Sequence, residues 1–172
     1  MDGPIMGDAR TKATRSIASQ AKMDFDRARV GFMRAYDAFP QDRLEWAPSE
    51  TARSALEIAA HIALAVGHML GNLKGDTFSL TTMSEADEYF RDAEKRLKSS
   101  REVLALFERN SKRYFDWLDS LTYEDLQRKV ALPFDLGEVD MPAAISFMPM
   151  HIDWHAAQLH YLQTIYGDRK WI

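Results

Sequence analysis

The sequence predicts an all-α protein: a four-helix bundle with a short extended or hairpin segment before the last helix. Two observations carry this expectation. Apolar residues recur at helical spacing through several long stretches, and the strand-like or breaking residues gather in one late segment around Pro133 and Gly137. Four long helices with little strand content bury their apolar stripes most simply against one another.

Taken in order, residues 11–39 place Ile17, Ala21, Phe25, Ala28, Phe32, Ala35 and Phe39 on a helical period, and Pro40 stops the helix. Residues 1–10 read as a disordered or frayed N-terminus, which leaves 11–172 as a single domain. A loop over 41–50 contains Trp46 and Pro48. The second helix opens at Ser54-Ala-Leu-Glu57, a capping box, and runs to about Leu70–Leu73. It is apolar nearly all round, so it is expected to be buried on more than one side. Residues 71–82 are loop. Residues 84–121 read as one helical stretch, continuous or weakly broken near Ser99-Ser100. A short helical turn follows at 122–126, and 128–140 is extended or hairpin-like. Asp140 is expected to cap the last helix, which ends at Tyr166 with Gly167 as its C′ residue. Pro149 falls within this helix and either kinks it just before His151 or marks its start.

Composition excludes several function classes. The 172 residues are 46% hydrophobic and 28% charged, with a net charge of -4, which suits one soluble domain. That charge argues against a nucleic-acid partner. The densest basic run, from Lys95 to Arg101, is bracketed by Asp92, Glu94 and Glu102 and reads as a solvated helix face. There is no cysteine. Disulfides, thiolate zinc sites and a cysteine nucleophile are therefore excluded, and a cytoplasmic setting fits. The N-terminal residues lack the apolar region of a signal peptide. The most apolar segment, residues 55–70, carries Glu57 and two histidines and reads as too short to span a bilayer, so no membrane partner is expected.

The histidines hold the functional signal. All five lie in two places: His61 and His68 on the second helix, and His151, His155 and His160 on the last. His151 and His155 are spaced i, i+4, which sets two imidazoles on one helix face with Cβ atoms roughly 6 Å apart. They can share one metal ion, and His61 is the obvious third ligand. Three neutral nitrogens leave one coordination position open, as in a catalytic rather than a structural zinc site. His160 lies about 180° round the helix from His151 and points away. His68 shares the direction of His61 but lies roughly 10 Å along the axis, so it lines a pocket above the metal or simply packs. By the same spacing Gln158 lines the pocket beyond His151, while Asp153 points away from the metal. Glu57, four residues before His61, is a candidate catalytic base or orienting group, although the capping box accounts for it equally. A zincin mechanism lacks its glutamate, because Ile152 follows His151. Di-iron chemistry lacks any Glu-x-x-His spacing.

The chain resembles the DinB-like superfamily of small metal-binding four-helix bundles. The resemblance rests on Trp46-Ala-Pro48, the run from Ser54 to His61, Pro133-Phe134 with the Gly137-Glu138 turn, and His151-x-x-x-His155-x-x-Gln158 followed by Tyr166-Gly167. It implies a metal site at His61, His151 and His155 holding one divalent ion, zinc first, with nickel or another transition metal as alternatives. It implies a metal-dependent hydrolase or a thiol transferase acting on a small-molecule substrate by activating water or a low-molecular-weight thiol. The alternative is a non-catalytic or stress-associated metal-binding bundle. The apolar second helix and the aromatic-rich first helix also suggest a homodimer.

Overall fold

Helix α1 spans Pro4–Asp37 in the computed structural model, which describes residues 4–76 and 79–167 (of residues 4–6 the backbone only). It starts seven residues ahead of the expected Thr11. The residues from Gly7 to Ala13 are almost all exposed, so these turns carry no apolar period by which a sequence reading could find them. Residues 1–3 and 168–172 lie outside the described part, as do 77 and 78.

Helix α2 covers Ala55–Lys74 and opens as expected. The Ser54 hydroxyl accepts from the Glu57 N–H at 3.2 Å, and Glu57 Oε2 accepts from the Ser54 N–H at 2.8 Å. It ends at Gly75, whose φ of 100° is a left-handed conformation that glycine adopts without strain. At 20 residues α2 is long and apolar enough to cross a bilayer by length and composition, so the expectation that it is too short fails. It packs against α4, α6 and α3 and is more than half buried.

The stretch expected as continuous or weakly broken near Ser99-Ser100 is two helices, with a full break just before Ser100. Helix α3 covers Met83–Glu94 and α4 covers Ser100–Ser120. The break at residues 95–99 has a local cause. The Ser99 hydroxyl accepts from the Glu102 N–H at 3.3 Å, while Glu102 Oε2 accepts from the Lys98 N–H at 2.7 Å. Together they satisfy N–H groups at the helix start that would otherwise lack acceptors. Helix α5 is the short turn Tyr123–Leu126. The extended segment is a hairpin, β1 Lys129–Ala131 antiparallel to β2 Glu138–Asp140, with Val130 opposite Val139. Helix α6 covers Met141–Ile165 with Pro149 inside it, so Pro149 does not start it. Pro149 has no N–H to return to the Ile145 carbonyl, one turn back. Asp140 stands at the N-cap position but makes no capping bond. Its carboxylate instead takes Lys129 Nζ across the hairpin at 2.6 Å.

Four helices make the bundle. α1 packs against α4 and α6, and α2 packs against the same two, so α1 and α2 stand on opposite corners. The core between α1 and α4 is aromatic: Phe25 meets Tyr114 at 5.1 Å and Phe115 at 5.3 Å, centroid to centroid, and Phe32 meets Phe107 edge-on. α2 approaches α4 closely because Gly67 has no side chain: a Cβ there would meet Asn110 Nδ2 at 2.9 Å. That amide donates to the Ala63 carbonyl at 2.8 Å, so the contact is also a buried hydrogen bond. Helix α3 lies outside the four-helix core, packed on α2.

Phe25 is fully buried at the centre of the aromatic contact. Phe25→Ala is expected to cost about 3–5 kcal/mol of unfolding free energy. Urea denaturation checks this through a lower midpoint at unchanged slope.

Candidate metal centre

Two helices present the three histidines. His61 sits on α2 two turns beyond its capped start, among the small residues Ala59, Ala60 and Ala63. His151 and His155 lie one turn apart on α6, and α2 packs on α6. Ring centroids are 5.5 Å apart for His61 and His151, and 4.7 Å for each of the other two pairs. One nitrogen from each ring lies within 4.8 Å of the others. The structure thus brings together the three histidines that the spacing singles out. His160 takes no part in the cluster, and Asp153 turns away to pair with Arg27 on α1 at 3.1 Å.

The second nitrogen of two of these rings is already engaged. His61 Nδ1 is 2.8 Å from Glu94 Oε1, and His155 Nδ1 is 2.7 Å from Gln158 Oε1. Both partners are acceptors, so each Nδ1 carries the proton and each Nε2 keeps its lone pair. His151 Nε2 is buried and has no hydrogen-bond partner. A buried polar atom without a partner is rare and calls for an explanation. One nitrogen from each of three imidazoles converging within 4.8 Å offers one: the residues fit a borderline divalent cation, which His61, His151 and His155 would hold. Among the described residues no carboxylate joins the cluster, so these ligands leave at least one position open.

Electrostatics agree. Burial, reinforced by the neighbouring His61, pushes the His151 pKa down to about 4. Burial, then His61 and His151, push His155 down to about 3. Both rings are neutral at physiological pH, the form that ligates metal.

Glu94 is the functional residue that sequence reasoning missed. It reads as part of a solvated charged face, yet it is 2% exposed. Burial alone would raise its pKa, but the hydrogen bonds from His61 and Arg53 outweigh that and hold it below the usual carboxylate value. Arg53 Nε donates to Glu94 Oε2 at 2.8 Å, and Arg53 also pairs with Asp87 at 2.9 Å. The chain Arg53–Glu94–His61 fixes the ring's tautomer and direction and makes it a better donor, the usual role of a carboxylate behind a metal-bound histidine. One signal was available: Ala86, Phe90 and Glu94 step by four along one side of α3, and that side faces inward.

Two expectations need correction. Glu57 is committed to the α2 cap and does not reach the metal cluster as base or ligand. Gln158 does not line the cavity beside the cluster. One turn beyond His155, it supports that ring from behind and lines a surface groove with Arg53, Trp154 and Tyr161. His68 does line the cavity, together with His61 and His151. Its Nε2 is 3.3 Å from the Tyr89 hydroxyl, and burial lowers its pKa.

Fold and site together define a four-helix bundle with a three-histidine centre between two of its helices. The chain belongs to the DinB superfamily, whose pattern matches residues 24–159 and so takes in all three histidines. No curated protein matches the chain. Among solved structures, it is similar to YfiT from Bacillus subtilis, described as a probable metal-dependent hydrolase with an unusual four-helix bundle topology. That likeness has a TM-score of 0.66 at 15% identity and covers 87% of each chain. It is also similar to a DinB-like protein, yjoa, from Bacillus subtilis, with a TM-score of 0.60 at 20% identity over 89% of this chain and 96% of that one. A third is TT2238, a four-helix bundle protein, with a TM-score of 0.58 at 19% identity over 84% of this chain and 98% of the other.

Two outcomes follow from this geometry. Glu94→Gln keeps the size and one hydrogen bond but removes the charge behind His61; metal affinity is expected to fall about 10- to 100-fold. Competition with a chromogenic chelator measures it, with circular dichroism showing that the helices persist. The second concerns acid. His151 and His155 have folded pKa values of about 4 and about 3, against about 6.5 in the unfolded chain. Between those values the unfolded chain binds more protons, so the metal-free protein is expected to lose stability as pH falls from about 6.5 toward 4. Above that window the two rings add no pH dependence. Urea midpoints across the range should fall more steeply for the wild type than for His155→Leu.

Proposed function

We propose that the protein is a divalent-metal-dependent hydrolase whose ion is held by His61, His151 and His155. The observation that carries this reading is the buried, unpartnered His151 Nε2 beside two rings whose Nδ1 atoms are already taken. When bound, such an ion acts as a Lewis acid and lowers the pKa of water, supplying a nucleophile at neutral pH. Zinc suits three imidazoles best, and nickel or another first-row divalent ion suits them too. The chain's own residues do the rest. Glu94 and Gln158 hold the rings in the ligating tautomer. The apolar residues around the cluster limit solvent access, which raises the strength of every charge interaction there.

Two features favour an enzyme over a structural metal staple. Three nitrogen ligands would leave a position open, and the cluster borders a cavity of about 410 Å³ lined in part by His61 and His151. A staple needs neither. The likeness to YfiT supports the hydrolase class. Thiol transfer, the other activity considered, needs groups that recognise the thiol's charged parts. Among the described residues the cavity offers no lysine or arginine for this.

Elemental analysis of the purified protein is expected to give one divalent ion per chain. That ion should be lost in His61→Ala, His151→Ala and His155→Ala and retained in His160→Ala. Hydrolysis of small esters and amides should stop on chelation and return with zinc. Hydrolysis that survives complete metal removal would reject the proposal, as would a fourth protein ligand closing the loaded site.

A further inference from the structure

The cavity beside the histidines has a chemical character that the metal alone does not dictate. Its walls are mostly apolar, with Met69 and Leu73 of α2, Met83 and Phe90 of α3, Phe134 of the hairpin loop and Phe147 of α6, and the uncharged polar side chains among them are His68 and Asn72. His61 and His151 stand at one side. The volume of about 410 Å³ lies in the range of small-molecule sites. Among the described residues its only carboxylate is Asp87, and that group is already engaged by Arg53 at 2.9 Å and Arg91 at 2.8 Å. Both arginines instead line the separate surface groove with Trp154 and Tyr161. An anionic charge on a ligand's body would therefore meet no cationic side chain in the wall, and wherever the wall covers it the desolvation would cost far more than burying a methyl group. Two unbranched methionines in the wall adapt to ligands of different outline.

Building on the metal-dependent reading above, we propose that the site takes a small molecule with an uncharged, apolar body that fills this cavity, its single metal-seeking head group lying against His61 and His151. The substrate class is then a neutral alkyl or aryl ester or amide rather than a molecule bearing carboxylates along its length.

The test uses straight-chain alkyl hydroxamates on zinc-loaded protein, each compared by titration calorimetry with the same chain ended by a carboxylate. Affinity is expected to rise up to about fourfold per added CH₂, the equivalent of about 0.8 kcal/mol, until the cavity is full. The carboxylate-ended chains should bind at least about tenfold more weakly, because the buried charge has no partner. Met69→Arg places a cation in the wall and should narrow or reverse that difference. A flat chain-length series, or carboxylate-ended chains that bind the wild type as well, overturns the proposal even if Met69→Arg does not fold. A second arm separates this inference from the metal reading. In chelator-treated protein the neutral fluorophore N-phenyl-1-naphthylamine should bind and be displaced by octanol in preference to octanoate. If metal fails to load but this preference holds, the hydrolase reading falls and the apolar site stands. If metal loads and octanoate displaces equally well, the reverse is true.

Discussion

The packing of α2 on α6 is the constraint from which the centre follows. It sets one nitrogen from each of three imidazoles within 4.8 Å of the others, and two of these rings have pKa values far below that of free histidine. Such a cluster cannot be stabilised by protonation, because the charges would repel in a desolvated space. Nor do its inward nitrogens find protein donors, as the unpartnered His151 Nε2 shows. The bundle therefore holds a polar feature in its interior that its own hydrogen bonds do not satisfy. The cost is met by the surrounding packing: the aromatic core between α1 and α4, and the close approach that Gly67 permits between α2 and α4.

Around that cluster the supporting groups come from different parts of the chain. Gln158 reaches His155 from the next turn of the same helix, a local contact. Glu94 reaches His61 from another helix, and its buried charge is tolerable because Arg53, just before the α2 cap, completes the pair. Arg91 reinforces the same joint by binding Asp87 and the Thr51 carbonyl, so the start of α2 and the end of α3 form one ionic network. The orientation of His61 thus depends on residues that make no approach to the metal position themselves.

What the sequence makes legible follows the range of the interaction that sets it. The Ser54–Glu57 cap, the hairpin and the His151–His155 pair are written in local spacing, and each can be read from a few neighbouring residues, while His61 joins that pair only through the packing of α2 on α6. The break between α3 and α4 is equally local, since Ser99 and Glu102 stand at capping distance, and the sequence places it near Ser99-Ser100 while the continuous run of helix formers understates its extent. Glu94 was hidden for a different reason. Its role depends on Arg53 and His61, 41 and 33 residues away, and no single-segment pattern separates a buried acid from the solvated charges beside it. Gln158 was placed in the wrong compartment because helical phase gives a direction but not which of two cavities lies there. The early start of α1 escaped because an exposed helical turn has no apolar period.

Helix α3 has only 12 residues, a length at which an isolated helix is marginal in water. It rests chiefly on α2 and on the ionic joint at its C-terminal end. Segments held by so few contacts open locally at a free energy well below that of global unfolding. Yet this same helix supplies Met83 and Phe90 to the cavity wall and Glu94 to the histidine behind it. Detachment of α3 would uncover the cavity and release the orientation of His61 in a single event. Helix α3 is therefore both a wall of the cavity and part of the mount for His61, so that a change in its packing on α2 would act on the cavity and on the histidine cluster together.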